Sequence, residues 1–302
     1  MGADSRSVTP THRWRTLLPL SVRQGIRRRI DWYGEVTSSL RLMPTYLIVG
    51  TMKGGTSAMY EYLVRHPAVG RAMVEEVHFF SYNYSRGLRW YRGHFPTTIQ
   101  QRVAKWTRGV DLITGESTPY YMFHPHAPAR IASALPDAKL IVLLRNPVDR
   151  AYAHYQHSRQ MGVDPIGSFE AALDAEAERL APETQRMLED PSYESPAHLR
   201  FSYLSRGLYA DQLTKMFGLF GRDQILVENA EEFMSDPEAV YLRALAFLGL
   251  SEHRLQEYPR YNLRRSRYGP MPPETRARLI DHFMEPNQRL YALLSTTYDW
   301  DR

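Results

Sequence analysis

The chain of 302 residues is 43% hydrophobic and 24% charged, a balance typical of globular domains that excludes a disordered or low-complexity chain. It contains no cysteine, which excludes a disulfide scaffold, a cysteine-ligated metal site and a thiol nucleophile. The net charge of +5 is unevenly distributed, because residues 1–30 hold seven arginines and a single aspartate. The remaining chain is therefore nearly neutral, which argues against a nucleic-acid-binding face and predicts no nucleic-acid partner.

Residues 1–43 are predicted to form a basic N-terminal arm. Within residues 1–30, apolar side chains such as Trp14, Leu17 and Ile26 are interleaved with arginines. This pattern fits either a solvated arm or a surface helix that contacts anionic lipid or a partner. The arginines also interrupt any signal-peptide pattern, and no apolar run approaches the roughly 20 residues needed to cross a bilayer. We therefore expect a cytoplasmic protein whose only membrane contact would be peripheral.

Strands and helices are predicted to alternate from residue 44 onward. Three short apolar runs predict buried strands near 45–49, 139–144 and 225–228. Helical patterns follow near 56–65, 148–160, 237–248 and 274–294. Strands that alternate with helices indicate a parallel sheet, so residues 44–302 are predicted to be a single α/β domain.

The first predicted strand and helix are separated by a glycine-containing loop that spans Gly50 to Ser57. Glycines let backbone N–H groups approach a phosphate, a helix N-terminus carries partial positive charge, and Lys53 adds a full charge. The loop is not a Walker A sequence, because a threonine rather than a lysine follows Gly55. We predict an anion-binding loop, the alternative being a plain glycine turn with a solvated lysine.

A second segment, from Arg145 to Arg150, follows the strand predicted at 139–144. Ligands of an open parallel sheet collect at the carboxyl ends of its strands, so this segment should face the same crevice as the glycine loop. Arg145 and Arg150 offer forked donors for a second phosphate. The alternative is an ordinary helix start with solvated side chains.

Two segments resemble motifs of the sulfotransferases that use 3′-phosphoadenosine 5′-phosphosulfate (PAPS). Residues 47–63 (LIVGTMKGGTSAMYEYL) resemble the 5′-phosphosulfate-binding loop of that family. Residues 140–157 (LIVLLRNPVDRAYAHYQH) resemble its 3′-phosphate-binding motif. The likeness is greatest to the heparan sulfate N- and O-sulfotransferase branch, and it covers residues 44–302. Further matches to that branch lie at residues 75–80, 115–121, 283–287 and 298–300.

The resemblance implies a set of catalytic residues. Lys53 would neutralise the bridging oxygen of the donor, and Glu76 would remove the acceptor proton, with Glu75 as the competing carboxylate. His78 would orient Glu76 or the acceptor, and His157 matches a histidine proposed to assist proton transfer in the N-sulfotransferases. As in phosphoryl transfer, catalysis would depend mainly on positioning and electrostatic stabilisation.

The resemblance also implies how the donor and its product, 3′-phosphoadenosine 5′-phosphate (PAP), would be held. Arg145 would bind the 3′-phosphate, and no metal is required, because Lys53, the helix dipole and the arginines can balance the charge. The acceptor would be a small molecule or glycan, with a hydroxyl preferred over an amine, on a carbohydrate or on a glycosylated or hydroxylated metabolite. The 5′ end of the nucleotide would be held by Lys53, Gly54, Gly55, Thr56 and Ser57. A late basic loop would close over it with Arg264, Arg265 and Arg267.

Four features depart from the family pattern, two of them on the acceptor side. The serine expected eight residues after Arg145 is Ala153, which removes one hydroxyl contact to the 3′-phosphate. A lysine is replaced by Ser117 and an acidic residue by Ser81. The disulfide that staples the late loop in animal enzymes cannot form, because cysteine is absent.

The resemblance thus implies a PAPS-dependent sulfotransferase with a P-loop-containing nucleoside triphosphate hydrolase-like fold. Two alternatives stay open at this point. One is an ATP-dependent kinase of the same fold class, which the missing Walker order disfavours. The other is a module that binds PAP without turnover, for which Ala153 is the supporting residue.

Overall fold

Five parallel strands form the sheet at the centre of the computed structural model, which describes residues 29–259 and 269–300. Across the sheet their order is β2-β3-β1-β4-β5, and every neighbouring pair is parallel. This arrangement confirms the predicted parallel sheet. The strands are β1 (Tyr46–Gly50), β2 (Val69–Gly70), β3 (Ile113–Ser117), β4 (Lys139–Leu144) and β5 (Ile225–Asn229).

The central strands are apolar because both of their faces are covered. In β4, Leu140, Val142 and Leu144 join one core cluster, whereas Ile141 and Leu143 join a second cluster on the opposite face. Successive side chains of a strand point to opposite faces, so an unbroken apolar run requires packing on both sides. The covering helices meet this requirement.

Helices fill the segments between and after the strands, and the predicted helices are confirmed with ends shifted by one or two residues. Their bounds are α1 (Thr56–Leu63), α2 (Gly87–Arg92), α3 (Thr98–Arg108), α4 (Ala127–Ala134), α5 (Pro147–Gln160), α6 (Phe169–Asp174), α7 (Glu176–Glu189), α8 (Pro196–Arg200), α9 (Tyr209–Phe217), α10 (Ala230–Ser235), α11 (Pro237–Leu248) and α12 (Pro273–Leu294).

Two layers of helices enclose the sheet. α1, α10 and α11 pack on one face, where Met59, Phe233 and Val240 join the strand side chains. α2, α4 and α9 cover the other face together with the last turns of α12. A third cluster joins α5, α6 and α12 through side chains such as Val148 and Phe283. The site described below lies at one edge of this sandwich.

The described part of the predicted N-terminal arm packs against the domain. Residues 29–36 are helical, and residues 1–28 lie outside the described residues. Arg41 donates from Nη1 to the carbonyl oxygen of Phe95 at 2.7 Å, and Leu42 donates its backbone N–H to Pro96 at 2.8 Å. Over residues 29–259 and 269–300, none of the helices combines the length and apolar composition that spanning a membrane demands.

Candidate active site

The carboxyl ends of the parallel strands meet at one edge of the sheet, and the predicted loop lies there. Thr51, the first residue after β1, donates to the carbonyl oxygen of Leu143 in β4 from both its N–H and its Oγ1, each at 2.9 Å. These two bonds fasten the loop across two neighbouring strands. The loop then turns into α1 at Thr56.

Two glycines allow this turn. A Cβ on Gly54 would lie 2.6 Å from the Leu143 carbonyl oxygen and 2.8 Å from Thr51 Oγ1, so only glycine fits without displacement. Gly55 has a φ of +95° and precedes α1, whose first turn carries no acidic residue and no side-chain cap. The backbone N–H groups at the start of α1 therefore remain available to an anion.

Arg145 and Lys53 are brought together at this edge. Arg145 Nη1 donates to the Lys53 carbonyl oxygen at 3.1 Å, and Tyr209 donates its hydroxyl to the Arg145 carbonyl oxygen at 2.8 Å. Arg145 Nε is buried and has no hydrogen-bond partner within the described residues. The guanidinium is thus held against the loop, and its Nε–H can still donate a hydrogen bond.

The adjacent carboxylates Glu75 and Glu76 point to different surroundings. Burial raises the pKa of Glu75, and a hydrogen bond from Ser57 offsets part of that rise, so this carboxylate lies against the glycine loop. Glu76 is 44% exposed, and its Oε2 lies 3.3 Å from His78 Nε2. His78 Nδ1 is 3.2 Å from Ser81 Oγ, a contact that fixes the ring from its other side. Glu76 is therefore the carboxylate paired with the imidazole.

A buried carboxylate, Glu116, holds the segment that carries these residues. Glu116 lies in β3 and is fully buried. Its Oε2 accepts from the Val77 N–H at 3.0 Å and from Thr118 Oγ1 at 2.6 Å. Its Oε1 accepts from the hydroxyls of Tyr91 at 3.0 Å and Tyr121 at 2.8 Å. Four donors thus converge on one side chain, although sequence reasoning quoted Glu116 only as part of a matched segment.

Cationic side chains beneath the loop were largely missed by the sequence analysis. Arg206 is buried, donates to Met52 Sδ at 3.1 Å, and burial lowers its pKa to about 10. Arg150, predicted as a second phosphate donor, is fully buried, and Nε and Nη1 have no partner among the described residues. His154 is also buried, and burial, followed by the charges of Arg206, Arg150 and Lys53, lowers its pKa well below the usual range. No local pattern distinguishes Arg206 and His154 from surface arginines and histidines.

A group of aromatic side chains, called here the aromatic wall, continues from His78. It consists of Tyr82, Tyr120, Phe123 and His198. The His78 and Tyr82 rings are 5.3 Å apart, and Tyr82 stacks on Tyr120 at 5.6 Å. His198 stacks on Phe123 at 4.4 Å and lies 2.8 Å from the Tyr120 hydroxyl. Tyr120 and His198 are buried, whereas Tyr82 and Phe123 are half-buried and form the partly accessible side of the wall.

The remaining predicted residues divide into those that the structure describes and those it does not. His157 lies on α5, half-buried, three residues after His154. Ala153 lies on the same helix and is also half-buried. Arg264, Arg265 and Arg267 lie outside the described residues. Within residues 29–259 and 269–300, no cluster of histidine and acidic side chains is arranged to hold a metal ion.

Comparison with known proteins gives consistent matches. Residues 44–266 match the sulfotransferase domain family. The mouse heparan sulfate glucosamine 3-O-sulfotransferase 6 is 32% identical, over 86% of this chain and 75% of the relative. The membrane-associated sulfotransferase kil1 of Dictyostelium discoideum is 26% identical, over 88% of this chain and 68% of the relative.

A solved sulfotransferase from Alicyclobacillus acidocaldarius superimposes with a TM-score of 0.66 at 30% identity, covering 86% of this chain and all of that one. The sequence matches and the structural match therefore point to the same family. The family match spans most of the chain and includes the glycine loop, the Glu76–His78 pair and β4 with its following turn, and on these grounds the chain belongs to the sulfotransferase family.

Proposed function

We propose that the protein transfers a sulfuryl group from PAPS to an acceptor hydroxyl, with Glu76 as base and Lys53 stabilising the leaving phosphate. The observation that carries this proposal is the contact of the loop after β1 with the segment that holds Glu75, Glu76 and His78, at the carboxyl edge of the sheet. A contact between Ser57 and Glu75 joins the two segments. Anion binding and proton removal would then occur side by side.

On the donor side, the loop would hold the 5′-phosphosulfate through the N–H groups of Gly55 and Thr56, with Ser57 and Lys53 completing the cradle. Gly54 would contribute by shaping the turn, because its own N–H donates to the Thr51 carbonyl oxygen at 2.9 Å. Arg145, with buried Nε in reserve, would bind the 3′-phosphate from the neighbouring strand end. The buried Arg150 and Arg206 add positive charge beneath the loop, which favours a highly anionic ligand.

In the transfer itself, the acceptor oxygen forms a bond to sulfur while the bond from sulfur to the bridging phosphate oxygen breaks. Glu76 takes the proton of the acceptor, and Lys53 neutralises the charge that develops on the bridging oxygen. His78, 3.3 Å from Glu76, orients the carboxylate. His157, which lies on α5, would assist this proton transfer. PAP is then released as the second product.

For the acceptor, we propose a carbohydrate or a glycosylated or hydroxylated metabolite. The aromatic wall beside His78 supports this class through its half-buried members, Tyr82 and Phe123, since sugar rings stack on aromatic faces. The mouse heparan sulfate glucosamine 3-O-sulfotransferase 6 and the present chain are similar over most of the chain, which favours the same broad acceptor chemistry.

The test incubates purified protein with PAPS carrying labelled sulfate and a panel of glycans, hydroxylated metabolites and amines. Glu76→Gln should lower turnover by about 10²- to 10⁴-fold, the usual contribution of a general base, while PAP affinity by calorimetry stays within a few-fold. Lys53→Ala should reduce both turnover and donor affinity. Lys139→Met, at the opposite end of β4, is the matched lysine control and should behave like the wild type.

The outcomes separate the alternatives. Loss of turnover in Glu75→Gln with full activity in Glu76→Gln would reassign the base to the carboxylate beside Ser57. If ATP, and not PAPS, protects the protein from heat, a kinase replaces the sulfotransferase. If PAP binds and no acceptor in the panel is labelled, the protein is a nucleotide-binding module.

A further inference from the structure

Helix α3 turns apolar side chains toward solvent. Ile99, Val103 and Trp106 are 60%, 51% and 88% exposed. Their spacing of four and three residues places them on one face of the helix, whereas Ala104 is the α3 residue that the fold buries. Single exposed apolar residues are ordinary, but an aligned stripe with a nearly free tryptophan indicates a contact surface.

Basic side chains accompany this stripe. Arg102, Lys105 and Arg108 are exposed, and α3 contains no acidic residue. Lys105 pairs with Asp111, which follows the helix, at 2.7 Å. Tryptophan and aliphatic side chains on one face, with arginine and lysine around them, are typical of helices that lie in a membrane interface.

A groove of about 380 Å³ runs beside the stripe. Val69, Leu112 and the α3 residues Ile99 and Val103 give it an apolar lining, and Arg108 also borders it. Val69 begins β2 and Leu112 immediately precedes β3, so the groove lies at the amino ends of these strands. A flat surface that meets α3 would thus leave the carboxyl edge, with the glycine loop, open to solvent.

The exposed apolar surface continues onto the N-terminal helical segment. Trp32, Val36 and Leu40 are 66%, 56% and 54% exposed and recur every four residues. An antiparallel bridge between Arg41 and Thr97 places Leu40 next to the start of α3. The contact surface therefore extends over two neighbouring elements.

Charge decides among the occupants of this surface. Residues 1–28 contain six arginines and one aspartate, so their charge has the same sign as that of α3 and opposes their docking there. A second copy of the chain would likewise set basic helix against basic helix. An anionic bilayer complements the arginines and lysine and also accepts the apolar stripe.

We propose that the α3 stripe, Ile99, Val103 and Trp106, docks the protein peripherally on anionic lipid bilayers. The apolar side chains enter the headgroup boundary, and Arg102, Lys105 and Arg108 lie among the lipid phosphates. The reaction at the carboxyl edge of the sheet does not depend on this contact, so the proposal is tested independently of catalysis.

The test sediments the full chain with phosphatidylcholine vesicles prepared with and without phosphatidylserine. The wild type should bind the vesicles that contain phosphatidylserine and largely ignore the others. Val103→Glu/Trp106→Glu should lower partitioning by about tenfold or more, because burial of even one large apolar side chain is worth such a change. Leu188→Glu, at a residue 54% exposed on α7, is the matched control and should bind like the wild type.

A second readout places Trp106 at the bilayer. Brominated lipids should quench the fluorescence of the wild type more strongly than that of Trp106→Phe, and equal melting temperatures would show that the variants fold normally. Equal vesicle binding by the wild type and the double glutamate variant would overturn the proposal and assign binding to the arginines of residues 1–28. Light scattering that shows a dimer, converted to a monomer by the double variant, would also overturn it and make the stripe an interface between copies.

Discussion

Replacing Glu116 with glutamine should weaken the fold and displace the segment that carries the Glu76–His78 pair. In the wild type, the carboxylate of Glu116 accepts four hydrogen bonds, from the Val77 N–H and the Thr118, Tyr91 and Tyr121 hydroxyls. Glutamine keeps one oxygen and replaces the other with an amide nitrogen, which cannot accept. Two of the four donors would then lose their acceptor in a fully buried site.

The expected cost follows from these contacts. Each buried donor left without an acceptor costs about 1–3 kcal/mol, so two give about 2–6 kcal/mol. Burial raises the pKa of Glu116, which means that the charged form is itself disfavoured, and glutamine removes that penalty. We therefore expect the free energy of unfolding to fall by about 2–3 kcal/mol, and the melting temperature of a chain of this size by roughly 5 °C.

The assay combines thermal unfolding with turnover and PAP binding. The Val77 N–H connects Glu116 to the residue between Glu76 and His78, so kcat should fall by about tenfold as the pair loses its placement. PAP affinity should change little, because the loop that would hold it belongs to β1. Glu178→Gln, an exposed position on α7, serves as control.

Two results would refute this reasoning. If Glu116→Gln has the same melting temperature as the Glu178→Gln control, the four hydrogen bonds contribute little net stability. A destabilised variant with unchanged kcat would show that Glu116 supports the core but does not position the Glu76–His78 pair for turnover.

Two further predictions concern the glycine loop and the loss of folding stability at acidic pH. Gly54→Ala places a methyl group 2.6 Å from the Leu143 carbonyl oxygen, so PAP affinity measured by calorimetry should fall at least about tenfold, and wild-type affinity would contradict the close packing. Burial lowers the pKa of His124 from its ordinary 6.5 to about 2, so the unfolded state binds a proton that the folded state rejects, and stability should fall as the pH drops below 6.5. At pH 5 the loss in the free energy of unfolding amounts to roughly 2 kcal/mol. The variant His124→Asn keeps an acceptor for the Ala127 N–H, so its urea midpoint should drop less between pH 7 and pH 5 than that of the wild type. An equal drop in the two proteins would show that His124 is not the group responsible.

The sequence predicts those parts of the fold that local pattern determines. β1, β4 and β5 could be predicted because apolar runs precede helical patterns. β3 could not, because its sequence includes Gly115, Glu116 and Ser117, which resemble a turn. Glu116 is compatible with a buried strand because four donors, among them the hydroxyls of Tyr91 and Tyr121, converge on it, and these contacts exist only in the folded chain.

The candidate site divides in the same way. The position of the glycine loop follows from the order of strand, loop and helix, and the approach of Arg145 follows from the parallel sheet. The different surroundings of Glu75 and Glu76 could not be predicted, because neighbouring side chains of an extended segment point apart and the sequence does not say which one meets Ser57. The buried Arg206 enters the site from a distant segment, without a local signal.

The guanidinium of Arg206 contacts both the glycine loop and the aromatic wall, so a change in one of them affects the other. It donates to Met52 in the glycine loop and lies 4.8 Å from the centre of the Tyr120 ring and 5.1 Å from that of Phe123. A substitution that reshapes the aromatic wall will also shift a charge beneath the loop. Substitutions at Tyr120 or Phe123 should therefore change the dissociation constant for PAP, although neither side chain belongs to the glycine loop.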